Sequence, residues 1–124
     1  MIPPKLKPGD EIRVIAPSRS FLVGWFTDTL KKTATKNFEN LGLKVSFAKH
    51  LNEIDDFGSS SIESRIADIH EAFADKSVKM IISALGGFNS NQLLRYLDYD
   101  LIKNNPKIIC GDSDITALAN AIYA

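Results

Sequence analysis

Lys107-Ile108-Ile109-Cys110-Gly111-Asp112-Ser113-Asp114-Ile115-Thr116 reads as a buried strand, a sharp turn carrying a serine, and the start of a helix. A turn of this kind holds a hydroxyl at the edge of a sheet, beside helix N-terminal amides that can stabilise an oxyanion. If 107–110 is a strand feeding a helix, the rest of the chain should supply partner strands, and it does. Residues 11–16 (EIRVIA) read as a strand that ends at Pro17-Ser18, and residues 43–48 (LKVSFA) alternate in polarity. Residues 79–85 (KMIISAL) are apolar enough for a strand covered on both faces, and end at Gly86-Gly87.

Helical spacing fills the gaps. Phe26, Leu30, Ala34, Phe38 and Leu41 recur at near-helical intervals before Gly42, which sits where a C-cap glycine belongs. Ser60 or Ser61 can cap a second helix on which Ile62, Ile66, Ile69 and Phe73 form one stripe, with Arg65 and Asp68 outside it. A short helix is predicted over 89–97, a connector over 99–106, and an apolar helix over 117–124. Residues 50–61 are polar and read as a surface loop. Alternating strands and helices predict an α/β fold: a three-layer parallel sheet with helices on both faces, flavodoxin- or Rossmann-like. In such a sheet the working groups lie beyond the C-terminal ends of the strands. That edge collects Pro17-Ser18, the His50 loop, Gly86-Gly87-Phe88-Asn89 and Asp112-Ser113-Asp114.

Composition narrows the function classes. At 124 residues and 44% hydrophobic, residues 1–124 suffice for one core and are short for two. Fifteen basic residues balance fifteen acidic ones, so no net field draws the chain to nucleic acid or an anionic membrane, and neither is an expected partner. The single Cys110 cannot form an internal disulfide and is expected as a packed thiol in a reducing, cytoplasmic setting. One cysteine and two separated histidines make no metal-ligand spacing; no metal and no cofactor are expected. The apolar helical pattern continues to the last residue, so the chain is expected to be part of something larger.

Each candidate site residue has two readings. Ser113 is either the N-cap of the last helix, which spacing alone favours because Gly-x-Ser-Asp lacks the second glycine of the usual nucleophile elbow, or an activated hydroxyl. A serine nucleophile needs a base. His70 reads as a structural histidine beside the Ile66 and Ile69 stripe, and His50 as a solvated loop residue. Gly86-Gly87 either lets the chain turn with positive backbone angles or lets amides approach a ligand closely. Asn89, Ser90 and Asn91 can cap the following helix.

Taken jointly, Leu6-Lys7-Pro8-Gly9-Asp10, Ile15-Ala16-Pro17-Ser18, the Arg65/Asp68 helix before Ala72-Phe73, Gly86-Gly87, and Asn105-Pro106-Lys107 running into Gly111-Asp112-Ser113-Asp114-Ile115-Thr116 resemble the LD-carboxypeptidase family of serine peptidases. The stretch Ala84-Leu85-Gly86-Gly87-Phe88-Asn89-Ser90-Asn91 is similar to its microcin C self-immunity branch. The resemblance implies a Ser-Glu-His triad with Ser113 as nucleophile and the amides of Gly87 and Asp114 as oxyanion hole. It implies substrate contacts from Gly86, Phe88, Asn89 and Ser90. It further implies a C-terminal domain, absent from this chain, that supplies the glutamate and histidine, and a small peptide or peptidyl-nucleotide substrate. A muropeptide is the alternative substrate; a non-catalytic anion or small-ligand binding module is the alternative of another class. The family commonly has tyrosine before the serine where this chain has Asp112, which brings an extra carboxylate near a developing oxyanion. A domain without its partner is also expected to self-associate through exposed apolar surface, as a homodimer.

Overall fold

The computed structural model describes residues 3–20, 28–56, 58–84, 86–111 and 113–123. Strands β1 (Glu11–Ile15), β2 (Lys44–Phe47), β3 (Val78–Ser83) and β4 (Ile108–Cys110) form one sheet in the order β2-β1-β3-β4. Every pairing is parallel, so each connection must cross over a face of the sheet. The crossovers are α1 (Asp28–Asn40), α2 (Ile62–Ala74), and a 3-10 helix (Ser90–Tyr96) followed by α3 (Tyr99–Asn104). Helix α4 (Ile115–Tyr123) follows β4. Segment 99–106, predicted as a connector, thus contains a helix. Asp98 starts it, its carboxylate accepting the Leu101 amide at 3.0 Å, a capping signal that the Pro106 stop obscured. The short helix predicted over 89–97 is a 3-10 helix at Ser90–Tyr96. The predicted helix start at Phe26, the strand end at Leu85 and the terminal Ala124 lie outside the described residues.

Side-chain alternation shows which helix covers which face. Arg13 is in register with Ser46 and Ile81, and its guanidinium lies 3.6 Å from Glu71 of α2 and 3.1 Å from Asp75, the residue that ends α2. Phe47 points to the other face, where Lys31 of α1 stands 4.7 Å from its ring centroid. Helices therefore flank both faces, as alternation of strand and helix predicts. The core gathers Ile15 and Ile81 of the sheet, Ile69, Ala72 and Phe73 of α2, Leu93 of the 3-10 helix, Ile102 of α3 and Leu118 of α4, all buried. Cys110 differs from expectation. It is exposed, because β4 is the outermost strand and the last pair in its register ends there. Among the described residues no helix is long and apolar enough to cross a membrane.

The sheet order reverses direction between β1 and β3, which opens a crevice beyond their C-terminal ends. Gly86 and Gly87, which follow β3, and Pro17 and Ser18, which follow β1, both sit at that switch point. Phe73 is 1% exposed and central to the α2 face of the core. Phe73→Ala should cost about 3–5 kcal/mol in equilibrium urea denaturation; a loss under about 1 kcal/mol would place the core elsewhere.

Candidate active site

Ser113 is the only non-glycine residue among those described with left-handed backbone, at φ 54°. A β-carbon in that region is strained, and persistent strain of this sort concentrates where a site requires a side chain in one particular place. Ser113 is exposed, and no hydrogen bond holds its hydroxyl among the described residues. It is therefore not acting as a side-chain N-cap. Its carbonyl instead accepts the Thr116 amide at 3.0 Å, starting α4 through the backbone.

The missing second glycine has a physical explanation. A β-carbon on Gly111 would stand 2.7 Å from Cγ2 of Ile115 and 3.3 Å from Cβ of Ser83. Strand end and helix start are this close on either side of Ser113, and Gly111 alone supplies the clearance. Ile115 is thereby free to be large and is 2% exposed in the core.

Asp114 ties the serine turn to the loop after β3. Its Oδ2 accepts from the Ser18 hydroxyl at 2.7 Å and from the Ser90 amide at 2.9 Å, while the Ser90 hydroxyl donates to its carbonyl at 2.7 Å. Burial opposes the charge of this carboxylate, but the hydrogen bonds from Ser18 and Ser90 prevail and hold its pKa below the ordinary value. The charge is thus engaged by donors. Asp112, the other flanking carboxylate, lies outside the described residues.

The glycine pair works by close approach. Neither Gly86 nor Gly87 has positive φ, so of the two readings of the pair the one that needs positive backbone angles does not hold. A β-carbon on Gly86 would lie 3.2 Å from Cβ and 3.4 Å from Oγ of Ser113. One on Gly87 would lie 2.2 Å from Oγ of Ser18 and 3.0 Å from Cγ of Arg19. Asn89 is buried and does not cap the 3-10 helix with its side chain; its Nδ2 donates to Ser59 Oγ at 2.8 Å and its Oδ1 lies 3.1 Å from Ser18 Oγ. Ser90 is fully buried, whereas Phe88 is 62% exposed. The structure therefore brings Ser113, Gly86, Gly87, Ser90 and Asp114 together. Asn89 stands behind them in the packed loop, and Phe88 stands at the surface.

Arg65, read in the sequence as lying outside the apolar stripe, is 3% exposed. Its Nε donates to Ser60 O at 2.9 Å, Nη1 to Pro17 O at 3.2 Å and Asn89 O at 3.3 Å, and Nη2 to Gln92 Oε1 at 2.9 Å. Burial lowers its pKa, with Asp55 and Asp114 opposing, and it stays charged. Asp68, also buried, corrects the reading of His50 as solvated: its Oδ1 meets His50 Nδ1 at 2.7 Å and its Oδ2 accepts the His50 amide at 3.1 Å. Burial pushes the Asp68 carboxyl up, and the bonds from His50 partly offset it. The sequence signal for both was a charged pair at i, i+3 beginning just after a serine cap.

Neither histidine serves Ser113. His50 follows β2 and Ser113 follows β4, three strand spacings of about 4.8 Å away, or roughly 14 Å. His70 accepts the Asp98 amide on Nε2 at 2.9 Å, a structural role. No group of three or more metal-ligating side chains occurs among the described residues.

The LD-carboxypeptidase N-terminal domain model matches residues 12–124. The chain belongs to that family. A solved MccF-like protein from Bacillus anthracis str. Ames superposes with TM-score 0.93 at 58% identity, over 99% of this chain and 37% of that one. The microcin C7 self-immunity protein MccF of Escherichia coli is 38% identical over 82% of the chain and 32% of its own length. A probable murein peptide carboxypeptidase of Bacillus subtilis (strain 168) is 38% identical over 98% of the chain and 36% of its own length. The chain thus spans about a third of the length of these relatives.

Two outcomes follow from this geometry. Gly87→Ala should destabilise the fold by roughly 1–3 kcal/mol, since Ser18 must leave its bond to Asp114; a urea midpoint within error of the parent would contradict the contact. A carboxylate whose folded pKa is depressed contributes stability above its unfolded pKa and loses it as pH falls through the folded value. The stability gap between the parent and Asp114→Asn should therefore be full at pH 6 and shrink below about pH 4. Urea titrations at both pH values check the sign; a gap that widens on acidification would refute it.

Proposed function

We propose that Ser113 is the nucleophile of a serine hydrolase of LD-carboxypeptidase type, with a peptidyl-nucleotide conjugate as substrate. The observation that carries the reading is Ser113 itself, left-handed in backbone, exposed, and with a hydroxyl that bonds to none of the described residues, against Gly86 at the switch-point edge. In the first step Ser113 Oγ bonds to the substrate carbonyl carbon and its proton passes to a base. The amides of Gly87 and Asp114 stabilise the oxyanion, the leaving group departs with a proton, and water then releases the acyl group. The family resemblance implies that the base and the carboxylate that orients it are a histidine and a glutamate from sequence outside this chain; His50 and His70 are engaged by Asp68 and by the Asp98 amide. The exposed, unpaired Cys110 fits a reducing cytoplasm.

The microcin-type substrate is supported by the MccF-like similarity at 58% identity, and by an MccF structure in complex with aspartyl sulfamoyl adenosine, 34% identical with TM-score 0.86 over 99% of this chain and 36% of that one. The murein peptide carboxypeptidase relative favours a second reading, hydrolysis of a muropeptide before its terminal D-amino acid. Both substrates, offered to the full-length protein, separate the two. Cleavage of the aminoacyl-nucleotide conjugate and a drop in kcat/KM of about 10⁴-fold or more in Ser113→Ala are expected. Cleavage of the muropeptide alone would replace the substrate. Full activity in Ser113→Ala would overturn the nucleophile, whereas binding of the conjugate by the parent with no cleavage of either substrate would leave a non-catalytic anion site. Residues 1–124 alone should show little turnover, and a homodimer is the assembly proposed for them, checked by light scattering.

A further inference from the structure

Arg19 stands out among the charged side chains at the switch point. Its neighbours Ser18 and Ser20 are fully buried, yet Arg19 is exposed. Among the described residues its guanidinium has no ion pair or hydrogen bond, in contrast to Arg13 and Arg65, whose guanidiniums are bonded on several sides. Its stem runs over Gly87, where an added β-carbon would meet Cγ at 3.0 Å, and its guanidinium lies 5.9 Å from the centroid of the exposed Phe88 ring. Gly86 is packed against Ser113 and Gly87 against Arg19. One dipeptide thus separates the serine hydroxyl from a cation that none of the described residues neutralises.

A carboxypeptidase substrate has a free carboxylate one residue beyond its scissile carbonyl, and an aminoacyl-nucleotide conjugate has a phosphoryl group close to its own. Either anion falls within reach of an arginine whose stem begins beside the oxyanion loop. Arginine matches both with two parallel N–H donors, and stacking on Phe88 limits the conformations it must give up on binding.

We propose that Arg19 is a specificity-determining residue that binds the anionic oxygen group of the substrate, carboxylate or phosphoryl, adjacent to the bond attacked by Ser113. The proposal rests on the reading of Ser113 as nucleophile.

The test uses the full-length protein with two matched substrate pairs: a peptide ending in a D-amino acid as free acid and as C-terminal amide, and an aminoacyl phosphoramidate nucleotide beside an aminoacyl nucleoside without the phosphoryl group. Arg19→Ala should raise KM ten- to a hundredfold for the anionic member of a pair, change kcat by less than about threefold, and leave KM for the neutral member unchanged. Arg19→Lys should recover part of the loss. An effect confined to the acid/amide pair identifies a peptide carboxylate, and one confined to the nucleotide pair a phosphoryl group. An equal effect on charged and neutral members, or none, overturns the assignment. Arg19→Ala should keep the parental urea midpoint, so misfolding is distinguishable. Ser113→Ala run in parallel separates the two claims: turnover surviving there defeats the nucleophile, whereas its loss with no KM split in Arg19→Ala defeats the anion site alone.

Discussion

One buried guanidinium organises the edge on which the candidate site stands. Arg65 leaves α2 and donates to carbonyls of the loop after β1, the segment before α2 and the loop after β3, and to the amide side chain of Gln92. Loop carbonyls removed from water need donors, and a charged group with five N–H donors in a fixed plane serves several at once. Lysine presents a single point of charge and would not span these positions. Asp68, one turn further along α2, holds the loop after β2 through both the amide and the ring of His50. One helix thus fixes three of the four loops at the C-terminal edge of the sheet.

The fourth loop, containing Ser113, is attached differently. Asp114 reaches back to Ser18 and Ser90, each in a loop already bound by Arg65 or next to a residue that is. Strain at Ser113 persists because the elements around it are held independently: Ile115 is locked in the core, Gly111 leaves room for it, and Asp114 is bonded at both its side chain and its carbonyl. The hydroxyl itself is left without a partner among the described residues, an arrangement that suits reaction better than scaffolding.

Periodicity made the fold legible. Short apolar strands, glycine at helix ends and a strand-turn-helix at 107–116 were enough for a parallel sheet with helices on both faces. What escaped were features in which a polar group is buried by a partner distant in sequence. Arg65 and Asp68 sit off the apolar stripe by spacing, and their burial depends on carbonyls and a histidine contributed from elsewhere in the chain. Asn89 resembles a cap by position and is a bridge by contact. Cys110 is apolar by neighbourhood and exposed by its place on an edge strand, and the helix at 99–104 hid behind a proline that follows it. At the site, the serine turn was recognisable, whereas the exemption from a second glycine became clear only from the clearance between Gly111 and Ile115.

The central claim is that this turn presents Ser113 as a nucleophile, with the other serines of the edge committed to structure. Treating the full-length protein with a serine-directed acylating probe, followed by intact-mass measurement and peptide mapping, tests it most directly. One adduct per chain, located on Ser113, is the result predicted. Labelling of Ser18, Ser90 or another serine, or no labelling of a protein that turns over substrate, would contradict it.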